Sequence, residues 1–159
     1  YSGLEYDEFV VIKENKYDLQ VANKLIMFDK FRTGTNIYFD LDVIITGSID
    51  HLLRKDLTVL HAWWRAPAHT PLNSSIISWQ GDCSYIYDLF KQDPDYYMLK
   101  YNKGIDEYLY KEYFKIEKYQ PVCSSFPYGG FNTLWPVCLF NQNANTMRKP
   151  GAWKYYCIN

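Results

Sequence analysis

The segment that most constrains the fold is residues 37–45, which read IYFDLDVII: seven apolar residues interrupted by two aspartates. Continuous apolarity of this length is typical of a central parallel strand that other elements cover on both faces. On a strand, Asp40 and Asp42 point to the same side and lie about 6.5 Å apart, because each residue adds about 3.3 Å. An ionised carboxylate in apolar surroundings is costly unless it is paired with a cation or bound to a metal.

Two interpretations of the aspartate pair follow from this cost. In the first, Asp40 and Asp42 hold a divalent cation, manganese or magnesium, and leave coordination positions open for phosphate oxygens. In the second, the aspartates lie at the strand end and face solvent or a nearby lysine, since aspartate favours strand ends and turns. The first interpretation predicts a ligand site at the carboxyl end of the strand, where ligands of open α/β sheets bind.

Strand-like and helix-like patterns alternate along the rest of the chain. Apolar residues recur at helical spacing after Asp18 and predict an amphipathic helix of about four turns that stops at Gly34. Alternating strands and helices predict an α/β layered domain with a mostly parallel central sheet. Further helical segments are predicted at residues 49–53, 83–91 and 105–114, and strands at residues 9–12, 57–64, 74–79, 115–119 and 137–140.

Composition is typical of a globular protein with one domain. The 159 residues suit a single domain over residues 1–159, and 48% hydrophobic against 22% charged residues excludes a disordered chain. A net charge of −1 gives no electrostatic drive toward nucleic acid or an anionic membrane. No apolar run reaches the roughly 20 residues that a spanning helix needs, so we expect a soluble protein without a transmembrane segment.

The cysteine pattern bears on the compartment. The four cysteines are widely spaced and form no CxxC pair, so they do not predict a zinc site. They are better explained as free, mostly buried thiols of the kind found in reducing cytosol, and we therefore expect a cytoplasmic protein.

Residues 36–50 (NIYFDLDVIITGSID) resemble the Asp-x-Asp strand of GT-A fold glycosyltransferases, in which an apolar strand ends in paired aspartates and runs into a small-residue turn and a short helix. Weaker matches continue in order over most of the chain. The resemblance implies a GT-A, Rossmann-like layered fold. It also implies a metal-dependent enzyme that transfers a sugar from a nucleotide-sugar donor to a carbohydrate or glycosylated acceptor.

The resemblance also implies roles for individual residues. Lys24 stands where these enzymes often carry a lysine before the Asp-x-Asp strand, and Asn73 and Ser74 resemble the segment that meets the donor sugar. The implied site has Asp106 and Glu107 as catalytic residues in an acidic turn facing the sugar, and Lys24, Asn73, Ser74 and Lys149 as substrate-binding residues, with Lys149 near the diphosphate. Manganese or magnesium would be held by Asp40, Asp42 and Asn141, the last near the position of a histidine in the family.

GT-A enzymes usually begin with a strand and loop that hold the base and ribose, about one βα unit ahead of the segment matched by residues 1–12. This sequence begins at Tyr1 without that unit. We therefore expect a sheet that is incomplete on its amino-terminal side, and weak nucleotide binding. An incomplete sheet leaves an open edge, which predicts self-association through that edge or a partner chain that supplies the strand.

Two other functions stay open on the sequence alone. The run FDLDVIIT also resembles the first motif of haloacid dehalogenase phosphatases, in which Asp40 would be the nucleophile and Asp42 the acid/base. That fold needs a second acidic pair at the end of a later strand, and Asp82 followed by Asp88 comes near this pattern. The other possibility is a non-catalytic interaction module derived from a transferase.

Overall fold

The structure, a computed structural model, describes residues 20–41, 43–45, 47–62, 70–113, 117–119, 124–126 and 137–140. In this part of the chain, 3-10 helices span Gln20–Leu25 and Asp50–Leu52, and the α-helices are α1 (Ile26–Lys30), α2 (Tyr85–Phe90), α3 (Pro94–Lys100) and α4 (Ile105–Glu112). The strands are β1 (Thr35–Phe39), β2 (Val43–Ile45), β3 (Thr58–His61), β4 (Leu72–Gln80), β5 (Glu117–Tyr119), β6 (Ser124–Phe126) and β7 (Val137–Phe140).

The strands form two small mixed sheets. The first has the order β1-β4-β3-β5, in which β4 is antiparallel to both β1 and β3, and β3 is parallel to β5. The second has the order β2-β7-β6, in which β2 and β7 are antiparallel and β6 and β7 are parallel. The predicted combination of helices and sheet is confirmed, but the prediction of a mostly parallel central sheet is wrong.

β4 explains why strand direction was not predictable from apolarity. Eight consecutive residues of this strand are buried, although both of its neighbours run antiparallel to it. Burial on both faces therefore occurs here without parallel pairing, and a continuous apolar run reports only the burial.

The prediction of one strand over residues 37–45 is also wrong. β1 ends at Phe39, a turn follows in which the Val43 N–H donates to the Asp40 carbonyl at 3.1 Å, and β2 continues in the other sheet. Leu41 in this turn is 97% exposed, so the apolar run does not form a continuous buried strand. Within the described residues β1 pairs with β4 alone and lies at an edge of its sheet rather than at the centre.

The predicted amphipathic helix after Asp18 is confirmed over residues 20–30, as a 3-10 helix that continues into α1. Its apolar face is buried, as the periodicity predicts. The helix ends where the Phe31 N–H donates to the Met27 carbonyl, and Gly34 follows with a positive φ of 71°. The strand predicted at residues 9–12 lies outside the described residues.

The main core lies between the helices and one face of β4. Trp79 is at its centre, where its ring meets Phe28 at a centroid distance of 5.0 Å and its indole N–H donates to the Phe31 carbonyl at 3.2 Å. Ile76 belongs to a second, smaller cluster with Leu52 and Leu60. Because successive residues of a strand face opposite sides, Ser75 shares the side of Trp79.

No helix in the described part of the chain is long and apolar enough to cross a membrane. Cys83 is a free, buried thiol, as expected for this cysteine, and burial raises the pKa of this thiol. For Cys123, Cys138 and Cys157 the expectation stays a prediction.

Candidate active site

The carboxylate of Asp40, directly after β1, accepts hydrogen bonds from three side chains. Lys24 Nζ lies 3.1 Å from each carboxylate oxygen. The Tyr38 hydroxyl donates to Oδ1 at 2.6 Å, and the Ser75 hydroxyl donates to Oδ2 at 2.9 Å. The side chains of Lys24 and Asp40 are only 15% and 27% exposed, so the ion pair is largely removed from solvent.

The pairing of β1 with β4 explains this meeting. Phe39 stands opposite Ile76, and the ladder continues by one bond from the Asp40 N–H to the Ser75 carbonyl at 2.9 Å. Ser75 is therefore the cross-strand neighbour of Asp40. Tyr38 precedes Asp40 by two residues and projects to the same side of the extended chain, which lets its hydroxyl reach the carboxylate.

Residues 73–75 at the start of β4 connect Asp40 to the other predicted site residues. Lys24 Nζ also donates to the Ser74 carbonyl at 3.3 Å, and the Ser74 N–H donates to Asp106 Oδ1 at 2.8 Å. The Asn73 side-chain oxygen accepts from the Ser75 N–H at 3.0 Å. We call Lys24, Asp40, Asn73, Ser74 and Asp106 the polar cluster.

The position of Asp106 depends on the start of α4. Gly104 precedes this helix with φ 79° and ψ −157°, a conformation that residues with a Cβ rarely adopt. The helix is held on its buried side by Tyr108, whose hydroxyl donates to the Ile86 carbonyl at 2.7 Å. Burial raises the pKa of Tyr108, and the hydrogen bond to Ile86 holds α4 against α2.

The structure thus brings together five of the nine residues predicted for the site. Glu107 is not brought into the polar cluster by a described contact, since its Oε2 accepts from the Lys103 N–H at 3.2 Å and closes the turn before α4. The remaining three predicted residues, Asp42, Asn141 and Lys149, lie outside the described residues.

Tyr38 and Ser75 contact Asp40 but were not predicted from the sequence. A signal for Tyr38 exists, because a residue two positions before Asp40 on a strand shares its side. Ser75 had no comparable signal, since its meeting with Asp40 depends on the antiparallel register of β1 and β4.

Asp40, as the structure arranges it, does not fit direct coordination of manganese or magnesium. Both of its oxygens face the Lys24 ammonium, and each also accepts from a hydroxyl group. A divalent cation bound there would displace these donors and lie beside a like charge. Across the described ranges, no group of three or more His, Cys, Asp or Glu side chains is arranged to hold a metal ion.

The groups predicted for a phosphatase do not meet. Asp40 adjoins Ser75 near the start of β4, whereas Asp82 follows the end of this strand, where its carboxylate lies 4.0 Å from Arg32 Nη1. About 20 Å of extended chain separates the two positions. The second acidic pair that a phosphatase site requires is therefore not near Asp40.

Comparison with known proteins gives no relative for this chain. No protein-family model, no curated protein and no solved structure matches it. The interpretation of the site therefore depends on its own geometry and on the resemblance of its Asp-x-Asp segment.

Proposed function

We propose that the chain is a glycosyltransferase of the GT-A type, which transfers a sugar from a nucleotide-sugar donor to a carbohydrate or glycosylated acceptor. The observation that carries the proposal is the convergence of Lys24, Asp40 and Asp106 on residues 73–75, with Lys24 Nζ on the Ser74 carbonyl and Asp106 on the Ser74 N–H. These residues come from separate parts of the sequence, and only the family resemblance assigned them to one site before the structure was considered.

The chemistry of the polar cluster suits a ligand rich in hydroxyl groups. Carboxylate and carbonyl oxygens accept hydrogen bonds from sugar hydroxyls, and an ammonium group donates to them. Hydrogen bonds to charged groups are the stronger ones and give orientation as well as affinity. Asp106 and Lys24 would thus orient the donor sugar, and Asn73 and Ser74 would line the surface against which the sugar lies.

Glu107 would lie near the reacting carbon and Lys149 near the diphosphate, as the resemblance implies. A carboxylate beside the reacting carbon and a cation beside the leaving group both stabilise charge that develops during transfer. Dependence on manganese or magnesium stays a prediction, and two of its three predicted ligands, Asp42 and Asn141, lie outside the described residues.

Two further proposals concern partners. The acceptor is a carbohydrate or a glycosylated molecule, and a second chain pairs with the open edge of the sheet. β1 is an edge strand within the described residues, and edge strands are the part of a sheet that pairs with another chain.

The phosphatase is the weaker candidate because Asp82, one of the two later aspartates that it needs, lies beside Arg32 after the end of β4, whereas Asp40 lies beside Ser75 near its start. The two candidates also differ in their ligand, since a phosphatase would act on phosphate monoesters and would not need a nucleotide sugar.

Calorimetry with a panel of nucleotide sugars, with and without manganese, tests the proposal. The protein should be expressed from its complete reading frame, with each free nucleoside diphosphate as the matched ligand. We expect at least one nucleotide sugar to bind more tightly than its nucleoside diphosphate. If no nucleotide sugar binds in either condition, the transferase proposal fails.

A further inference from the structure

We infer that Asp40 is a positioning residue that fixes the Lys24 ammonium, that Tyr38 and Ser75 hold Asp40 in this role, and that Asp40 does not coordinate a metal directly. The inference rests on the proposed function, because the positioned lysine is the part of the site that would meet the donor. It separates the roles of the two aspartates of the Asp-x-Asp segment, to which the sequence resemblance assigns one metal.

The ion pair of Lys24 and Asp40 is symmetric. Lys24 Nζ is 3.1 Å from Oδ1 and 3.1 Å from Oδ2, so the ammonium lies across both oxygens of Asp40. The Ser74 carbonyl accepts from the same nitrogen at 3.3 Å. These three acceptors come from the residue that follows β1 and from β4, and together they fix the end of a side chain that would otherwise sample many rotamers.

Two hydroxyl groups hold the carboxylate of Asp40 in place. Tyr38 donates to Oδ1 and Ser75 donates to Oδ2, one on each oxygen of Asp40. A carboxylate held on both oxygens cannot rotate away from the lysine without breaking a hydrogen bond. The Tyr38 ring also lies 5.5 Å from Lys24 Nζ, which adds a cation–π contact to the same ammonium.

The surroundings of Asp40 exclude a direct metal contact at this carboxylate. A coordinated divalent cation would need one of these oxygens at about 2.0–2.6 Å, and both are already occupied by donor groups. It would also approach the ammonium group of Lys24, whose side chain is only 15% exposed and so weakly screened by solvent. The arrangement favours one task for Asp40, the neutralisation and orientation of Lys24.

Manganese binding provides one arm of the test, with the manganese ion alone as the probe and electron paramagnetic resonance to count free ions. We expect Asp40→Asn to bind manganese as tightly as the wild type, within about threefold, since Asp40 is not a ligand. A group that only supports a metal ligand already contributes about 10- to 100-fold to affinity, so loss of a direct ligand would weaken binding by at least about tenfold. Such a loss in Asp40→Asn would overturn the inference. A wild-type protein that binds no manganese agrees with the inference and counts instead against a metal-dependent transferase.

The Lys24 ammonium provides the second arm, observed by nitrogen-15 nuclear magnetic resonance of lysine-labelled protein and assigned with Lys24→Arg. We expect Tyr38→Phe and Ser75→Ala each to raise the hydrogen-exchange rate of this ammonium by about tenfold, because each removes one bond that holds Asp40. Tyr97→Phe is the matched control, as a tyrosine in a separate aromatic contact with Phe90. An unchanged Lys24 signal in both folded variants would overturn the inference. This arm needs no substrate, so its failure is distinct from a failure of donor binding.

Discussion

The ammonium nitrogen of Lys24 lies 3.1 Å from both carboxylate oxygens of Asp40, although the two residues are 16 positions apart in the sequence. The pair connects the helix that precedes β1 to the end of β1 itself. Because both side chains are mostly buried, the pair is weakly screened, and it should matter to stability as well as to the site.

Lys24→Met should lower the free energy of unfolding by about 2 kcal/mol. Removing one partner of a buried ion pair costs about 3–5 kcal/mol, and the partial exposure of Asp40 reduces this figure. Lys30→Met is the matched control, since its nitrogen is 3.7 Å from Asp29 and its side chain is 52% exposed. Urea denaturation measures the free energy of unfolding of both variants. Equal losses in the two variants would contradict a stabilising role for the pair of Lys24 and Asp40.

Asp106→Asn should weaken binding of the nucleotide sugar by about 10- to 100-fold, because a hydrogen bond to a charged group contributes about 1.5–3 kcal/mol. The amide oxygen can still accept from the Ser74 N–H, so the fold should persist. Asp95→Asn, at an exposed position in α3, is the control. Affinity for the free nucleoside diphosphate should not change, since Asp106 is proposed to contact the sugar. Calorimetry measures the affinity for each ligand, and an equal loss of affinity for both would exclude a contact between Asp106 and the sugar.

Gly104→Ala should destabilise the protein by about 1–3 kcal/mol through backbone strain alone. Its φ of 79° and ψ of −157° disfavour a side chain, whereas an added Cβ would meet no atom within 4 Å. Asn102→Ala, an exposed neighbour, should change stability by less than about 0.5 kcal/mol. Thermal denaturation compares the two, and a neutral Gly104→Ala would mean that α4 can begin with another backbone conformation.

Glu112 should make stability depend on pH below about 4.5. The Tyr101 hydroxyl donates to Glu112 and Lys100 lies 2.9 Å from its Oε1, and these contacts hold the pKa of Glu112 below its ordinary value of 4.5. A lowered pKa in the folded state gives stability that is present above pH 4.5 and is lost as the pH falls through the folded pKa.

Glu112→Gln should therefore flatten the acid side of the stability curve. The difference between wild type and variant should shrink by about 1 kcal/mol as the pH falls from about 6 to about 3, given the partial exposure of the side chain. Denaturation at a series of pH values measures it. Curves that stay parallel over this range would show that Glu112 has no lowered pKa.

The position of most helices and strands could be predicted from the sequence, because apolar periodicity reports which faces are buried. The predicted helix at residues 105–114 corresponds to α4, and the predicted strand at residues 74–79 lies within β4. Helix α3 was missed, although Asp93 caps it through the Tyr96 N–H and Pro94 begins it, which is a recognised start signal. Strand β6 was missed as well.

Neither the direction of the strands nor the end of β1 before Asp40 could be predicted in the same way. Both depend on which strands meet, and residues 37–45 look equally apolar whether they form one strand or two. For the site, Lys24 and Asp106, which the sequence resemblance selected, both contact the backbone of Ser74. Their roles in sugar transfer stay predictions. The ion pair between Lys24 and Asp40 agrees with the second interpretation of the aspartate pair, in which the carboxylate faces a nearby lysine.

The most direct test of the proposed function is release of a nucleoside diphosphate from nucleotide sugars, followed by chromatography in the presence of manganese. We expect release from at least one donor, with the sugar passing to an added carbohydrate acceptor or to water, in proportion to protein concentration. This activity should be lost in Asp106→Asn and not in Asp95→Asn. No release from any donor would contradict the proposed function. So would hydrolysis of a sugar phosphate to inorganic phosphate that Asp40→Asn abolishes, since that result would assign the site to a phosphatase.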